Sequence, residues 1–249
     1  MNLFGVLHSY TPSPTFVQFG PFSLHWYGLC LGLSVLVAYA LAFQAWRRSG
    51  RALAKLDSLV LLLVVSGLVG ARLMDVFVYE WPYFRSHLSE VFAVWQGGLA
   101  FHGALIGGGL ALLWWARREH ETMLPLLDMF APGLALAQAI GRWGNYFNQE
   151  LFGTPTTLPW GIPIVPAHRP FEYSEVQYFH PTFLYESLAL AVLFLCLYLL
   201  YRRAVKPGIV FGAYLMASGV VRFALEFVRL DTQLAVFGIR VGMLVSLLV

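Results

Sequence analysis

Long apolar stretches separated by short polar breaks run the length of the chain, near residues 24–46, 56–78, 99–115, 124–140, 182–201, 209–228 and 236–249. A helix needs roughly 18–20 apolar residues to cross the hydrocarbon core of a bilayer. Most of these stretches meet or approach that length, and the last reads as a short or incomplete span. Trp and Tyr often stand near the ends of the stretches, where amphipathic rings favour the headgroup layer. The pattern predicts an all-α integral membrane protein of about seven transmembrane helices, organised as one transmembrane domain over residues 1–249. No internal repeat or low-complexity tract interrupts it.

Composition supports that class. The chain is 59% hydrophobic and 12% charged, whereas a soluble domain is roughly 45–50% apolar and about 25% charged. A net charge of +3, spread over short clusters, gives no reason to expect nucleic acid as a partner. Both cysteines, Cys30 and Cys196, lie within apolar stretches, so a disulfide framework is not implied. Residues 1–22 lack the basic start and short apolar core of a cleaved signal, and the first span reads as a retained anchor.

The positive charges fix an expected orientation. Arg47, Arg48, Arg51 and Lys55 follow the first stretch, Arg117 and Arg118 the third, and Arg202, Arg203 and Lys206 the fifth. These loops alternate along the chain, so one orientation places all three in the cytoplasm. The N-terminus is then outside and the C-terminus cytoplasmic. Residues 79–96 and the long loop 143–181 face outward, and a long loop in a compact protein is more often functional than filler.

Polar residues inside or at the ends of the spans need an explanation, since an arginine at a helix centre costs roughly 2.5–3.5 kcal/mol on insertion scales. Arg72, His102, Arg142 and Glu226 sit towards the outward ends of their stretches and Arg222 nearer a centre. Together they predict a polar cavity opening outward. Arg222 and Glu226, four residues apart, share a helical face and can neutralise each other. Arg72 can snorkel to the headgroups, His102 can be a hydrogen-bonded structural histidine, and Gly107, Gly108 and Gly109 can serve helix packing alone. Arg142 stands between glycines beside Asn145, Asn148 and Glu150. The planar arginine fork suits phosphate, so the group suits an anionic lipid headgroup.

The run Gly141-Arg142-Trp143-Gly144-Asn145-Tyr146-Phe147-Asn148-Gln149-Glu150-Leu151-Phe152-Gly153 resembles the signature of the prolipoprotein diacylglyceryl transferase family. His25-Trp26-Tyr27-Gly28-Leu29, Gly70-Ala71-Arg72 and Gly97-Gly98-Leu99-Ala100-Phe101-His102-Gly103 match its earlier blocks in order. Leu158-Pro159-Trp160-Gly161 follows the signature, and His180-Pro181-Thr182-Phe183-Leu184-Tyr185-Glu186 resembles the block HPTQLYE. Arg222-Phe223-Ala224-Leu225-Glu226 resembles the late RFxxE block, and the blocks extend from about residue 25 to 231. The chain departs from the family pattern at Ser218, where a tyrosine is usual, and at Phe183, where glutamine is usual. It departs also near Asp75, in place of an aromatic, and at Met243, in place of glutamine.

The resemblance implies a multi-pass enzyme of the bacterial inner membrane. It would move the diacylglyceryl group of phosphatidylglycerol onto the lipobox cysteine of prolipoprotein signal peptides, in contact with membrane lipids. A thioether forms and glycerol phosphate leaves, with no metal or organic cofactor. It implies catalytic roles for His102, Arg142 and Arg222. Tyr27, Arg72, Asn145, Asn148, Glu150, Gly153, Tyr185 and Glu226 would shape the substrate site. The thiolate is the effective nucleophile, and His102 is the candidate base because imidazole ionises nearest neutral pH among side chains. Two alternatives remain at this point: a divergent paralogue with another lipid donor or acceptor, and a non-catalytic transporter of anionic lipid. A transport path calls for polar residues through the full depth, whereas these gather towards one face.

Overall fold

The computed structural model describes residues 3–20, 22–94, 97–203, 205–230, 235–236 and 239–240. The protein is mostly helical, in the order α1 (Leu3–Ser9), α2 (Trp26–Arg48), α3 (Leu53–Met74), α4 (Trp81–Phe84), α5 (Phe101–Arg118), α6 (Met123–Asn148), α7 (Thr182–Arg202) and α8 (Ile209–Glu226). A π-helical segment, Asp75–Tyr79, extends α3. Among the described residues, five helices are long and apolar enough to cross a membrane: α2, α3 with its extension, α6, α7 and α8. The expected third span is α5, whose glycines and terminal Arg117 and Arg118 keep it outside that set. Most of the expected last segment, including the departure at Met243, lies outside the described residues.

Among the described residues, three short antiparallel strand pairs accompany the helices: β1 (Thr15–Phe19) with β2 (Phe22–His25), β3 (Ile162–Pro163) with β4 (Tyr178–Phe179), and β5 (Ala235–Val236) with β6 (Ile239–Arg240). Helix α7 carries large apolar residues around its whole circumference, as a helix surrounded by protein or lipid does. Leu184, Leu190 and Leu197 are buried, while Leu188, Val192, Leu195 and Leu199 form an exposed stripe at helical spacing. Cys30 and Cys196 are both free thiols.

The chain divides into two compact units, residues 1–42 with 127–249, and residues 43–126. In the first, Ala131, Ala135 and Ala139 recur every four residues along α6 and meet Leu190, Leu193 and Leu197 of α7 and Val210 and Tyr214 of α8. Small residues on one face let helix backbones approach closely; a methyl on Gly133 of α6 would lie 3.3 Å from Ala38 of α2. The buried Asp128 accepts the backbone N–H groups of Gly208 (2.6 Å) and Phe211 (2.8 Å), closing two of the open donors at the start of α8.

A second core gathers Leu7, Tyr146, Ile162, Ile164, Phe179, Phe183 and Leu184 where α6 ends and α7 begins. The segment 149–181 folds over it. Gln149 donates to the Pro12 carbonyl (3.0 Å) and accepts from the Val165 N–H (2.8 Å). His8 of α1 stacks on Tyr178 at 4.2 Å and bonds the Gly161 carbonyl. Phe183 is explained by this core: it stacks on Tyr146 at 4.6 Å and meets Trp143 edge-on.

In the second unit α3 lies against α5 at two facing glycines. A Cβ on Gly103 would stand 2.2 Å from the Gly70 carbonyl oxygen, and one on Gly70 would stand 2.3 Å from that of Gly103. No side chain fits there. At the other end of these helices Arg51 pairs with Glu121 (2.9 Å) and Lys55 with Glu119 (2.8 Å). The Lys55 ammonium holds the Glu119 carboxyl below the usual glutamate range.

Candidate active site

Helix α6 runs to Asn148, eight residues beyond the expected end of the fourth apolar stretch. The loop expected to begin at 143 therefore begins at Gln149. Glycines and amides that look like loop in sequence are helical because their polar groups find partners at the helix end. Gln149 adopts a left-handed φ of 52°. The Gln149 N–H bonds the Tyr146 carbonyl and the Glu150 N–H bonds that of Asn145, the pattern of a Schellman cap. Leu151 follows at φ 56°, and the turn carries Glu150 back over the helix end. There its carboxylate accepts the amide N–H groups of Asn145 (2.8 Å) and Asn148 (3.4 Å).

One turn earlier, Arg142 donates to Asn145 Oδ1 (3.3 Å) and pairs through Nη2 with Glu186 Oε1 of α7 (2.7 Å). Its buried Nε carries no partner. Tyr27 of α2 completes this end. A methyl on Gly144 would lie 2.8 Å from the Tyr27 ring, and the phenol lies within the fields of Glu150 and Arg142.

Arg222 of α8 stands 3.9 Å from Glu226, the i,i+4 pairing open to it on sequence grounds. It also lies within the fields of Glu186, Arg142 and Arg229. Arg229 is 3% exposed and Glu226 2%. Three arginines thus gather with Glu186 and Glu226 around one helix end. Like charges kept close out of water are unfavourable unless carboxylates or an anion compensate them.

Gly153 and Tyr185 belong to the frame around this cluster. Gly153 donates to the His180 carbonyl (2.9 Å), and Thr154 donates to that of Val228 (2.8 Å). A Cβ on Gly153 would stand 2.8 Å from both His180 Cβ and the Val228 oxygen. The Tyr185 hydroxyl accepts from Trp160 Nε1 (2.9 Å) and lies 3.1 Å from His180 Nδ1.

Arg72 and His102 belong to the second unit. Arg72, 7% exposed, donates to the carbonyls of Glu90 (2.6 Å), Val91 (2.8 Å), Gly97 (2.9 Å) and Gly98 (3.0 Å). It also approaches Asp75 at 3.5 Å, which gives that departure a local partner, and stacks over Phe84. His102 is exposed on the first turn of α5, with Nδ1 3.5 Å from the Tyr79 hydroxyl.

Glu186 and Arg229 are the members of the cluster not singled out from sequence. Glu186 had a signal of its own, as a carboxylate in the opening turns of a strongly apolar stretch. Arg229 follows Arg222 by two helical turns' spacing but lies beyond the end of α8. Among the described residues no group of three His, Cys, Asp or Glu side chains is placed as metal ligands would be.

Four helices of a multi-pass membrane protein thus bring one end of each to a cluster of arginines and carboxylates. The family model for prolipoprotein diacylglyceryl transferase matches residues 14–249. The phosphatidylglycerol–prolipoprotein diacylglyceryl transferase of Synechococcus elongatus is 41% identical over 243 residues, covering 95% of this chain and 83% of the relative. The enzyme of the same name from Gloeobacter violaceus is 42% identical over 240 residues, covering 95% and 88%. That from a Synechocystis species is 39% identical over 243 residues, covering 95% and 85%. The chain belongs to the prolipoprotein diacylglyceryl transferase family.

Proposed function

We propose that this protein transfers the diacylglyceryl group of phosphatidylglycerol to the lipobox cysteine thiol of prolipoproteins. The cysteine sulfur bonds to the glyceryl carbon, the carbon–oxygen bond to phosphate breaks, and glycerol phosphate leaves with the bonding electrons. The thiol proton passes to a base. The observation that carries the reading is that Arg142, held by Glu186 at 2.7 Å, and Arg222, 3.9 Å from Glu226, come from separate helices and lie within each other's fields. A phosphate ester gains negative charge as it leaves, and fixed guanidinium groups in a poorly solvated site stabilise that charge. Glu186 and Asn145 aim Arg142, while Glu150, Asn148 and Tyr27 face the headgroup hydroxyls. Glu226 holds Arg222.

His102 is the proposed base; its exposed imidazole suits proton transfer. The cluster end of α2, α6, α7 and α8 opens as a polar cavity on the outer face of a bacterial inner membrane, beneath the segment 149–181. The N-terminus lies outside and the C-terminus in the cytoplasm. The ion pairs Arg51–Glu121 and Lys55–Glu119 support that orientation, because they tie together two of the loops assigned to the cytoplasm.

The test is a transfer assay with purified protein, phosphatidylglycerol and a synthetic lipobox peptide, followed by peptide mass. A diacylglyceryl gain at cysteine, absent in Arg142→Ala, is expected. No gain from well-folded protein, beside an active relative, would turn the assignment to another lipid donor or acceptor.

A further inference from the structure

The β1–β2 hairpin carries an apolar face that the protein leaves open. Phe19 pairs with Phe22 and Val17 with Leu24, while Gln18 pairs with Ser23 between them. Side chains alternate across a strand, so the first four residues share one face and Gln18 and Ser23 point the other way. Phe19 is 70% exposed and Phe22 78%. A two-stranded hairpin is marginal in water by itself, and this one exposes its largest side chains.

Its position in the chain says what covers them. His25 ends β2 and Trp26 begins α2, a helix long enough to cross the membrane, with no residue between. The Trp26 N–H also bonds the Pro14 carbonyl (3.0 Å) across the base of the hairpin. Phe16, at the irregularity between Thr15 and Val17, meets Trp26 edge-on at 4.5 Å. Trp26 in turn stacks on Phe147 at 4.4 Å, beside the end of α6. The hairpin is therefore fixed where two apolar helices end, at the depth where aromatic rings settle between headgroups and acyl chains.

We propose that the face formed by Val17, Phe19, Phe22 and Leu24 is seated in the phospholipid surface of the leaflet onto which the arginine cluster opens, with Gln18 and Ser23 towards water. The partner is the lipid surface itself. The hairpin ends two residues before Tyr27, so it holds that side of the site at headgroup depth. The inference rests on α2 being a membrane span and not on the transfer chemistry.

Depth measurement tests it. Gln18→Cys, Phe19→Cys, Phe22→Cys and Ser23→Cys would each be made in a Cys30→Ala, Cys196→Ala background. Each would be labelled with a nitroxide in the full-length protein and reconstituted into phosphatidylglycerol–phosphatidylethanolamine vesicles. Labels at 19 and 22 are expected to be relaxed mainly by oxygen, and those at 18 and 23 mainly by a water-soluble nickel chelate. Equal nickel access at all four positions would overturn the proposal. So would shielding of 19 and 22 from both reagents, the mark of a protein partner such as a second copy. Because the substitutions can disturb the hairpin, unmodified protein would also be irradiated in vesicles containing phospholipid with a photoreactive group near the glycerol backbone. Lipid adducts within residues 15–25 are expected, and adducts confined to the rest of the chain would overturn the inference.

Discussion

Glu186 Oε1 lies 2.7 Å from Arg142 Nη2 and joins the cluster end of α7 to that of α6. Glu186 keeps 8% of its side chain exposed and Arg142 24%, so solvent screens the pair little on the carboxylate side. With Asn145 on Nη1, the pairing fixes the plane of the guanidinium and leaves Nε without a protein partner. Glu186 is thus a positioning residue that also offsets part of the positive charge around Arg222.

Replacing it separates these two effects. Glu186→Gln keeps an oxygen acceptor for Arg142 and removes the charge, whereas Glu186→Leu removes both. Taking one partner from a buried ion pair costs about 3 kcal/mol or more, which the partial exposure of Arg142 lowers. Glu186→Leu is expected to lose about 2 kcal/mol in denaturant titrations in detergent and nearly all transfer. Glu186→Gln should stay folded and lose kcat more than affinity for phosphatidylglycerol. Wild-type kcat in Glu186→Leu would show that Arg142 needs no aiming.

Arg142 itself is expected to tolerate no conservative replacement. A lysine reaches one partner as a point charge but cannot satisfy Glu186 and Asn145 together. Removing one preorganised donor from a developing anion typically costs 100- to 1,000-fold in rate, roughly 3–4 kcal/mol. Arg142→Lys should fall within that range. Arg142→Ala should fall below detection while remaining folded, with a stability loss of about 2 kcal/mol, comparable to Glu186→Leu, because it leaves the buried Glu186 carboxylate unpaired. Turnover in Arg142→Ala within a few-fold of wild type would remove the residue from the mechanism.

The helices α2, α3, α5, α6, α7 and α8 were legible in the sequence as six of the seven expected apolar runs, because long apolar runs broken by short basic loops favour helices. The continuation of α6 through Arg142, Gly144, Asn145 and Asn148 was not, since that composition favours loops unless tertiary partners satisfy it. Those partners, Glu150 and Glu186, lie five and forty-four residues from Asn145 and Arg142. The β1–β2 hairpin was hidden because Phe19, Phe22 and Leu24 run into the apolar stretch of the first span. Arg142, Asn145, Glu150 and Tyr27 were legible as a group through ordered motifs. The carbonyl partners of Arg72 follow from local backbone geometry that no side-chain pattern encodes.

Arg72 makes a testable case of that last point. Its donors close four carbonyls from two segments, Glu90 with Val91 and Gly97 with Gly98. Arg72→Leu leaves all four without that partner; Gly97 and Gly98 are exposed and Glu90 and Val91 half-buried, so water takes up part of the loss, and each acceptor it does not reach costs about 1–3 kcal/mol. The expected result is a loss of about 3 kcal/mol or more in denaturant titrations, with cleavage of residues 88–98 by added protease. Arg72→Lys should recover part of both. If Arg72→Leu instead kept wild-type stability and lost only affinity for phosphatidylglycerol, Arg72 would be a headgroup ligand.

His102→Asn tests the base. The substitution keeps a polar group near the Tyr79 hydroxyl and removes the imidazole, and general base catalysis is typically worth 100- to 10,000-fold. The variant is expected to lose about that much at neutral pH. It should recover as pH rises towards about 8.5, where a free cysteine supplies its own thiolate. A loss that stays constant with pH would assign His102 a structural part, with Tyr79 as its partner.

Ser218 asks whether the cluster has been rebuilt where the chain departs from its family. Its hydroxyl donates to the Leu215 carbonyl one turn back on α8 (3.1 Å), a bond within its own helix that contributes little. The residue stands four positions before Arg222, on the same face. If serine is a tolerated loss, Ser218→Tyr restores a phenol beside Arg222 and should hold kcat/KM at or above wild type. If the neighbouring side chains have closed around serine, the ring meets a filled space, and overpacking costs about 1–3 kcal/mol. Activity would then collapse together with stability. Measuring kcat/KM and denaturant midpoint on one preparation separates the two results.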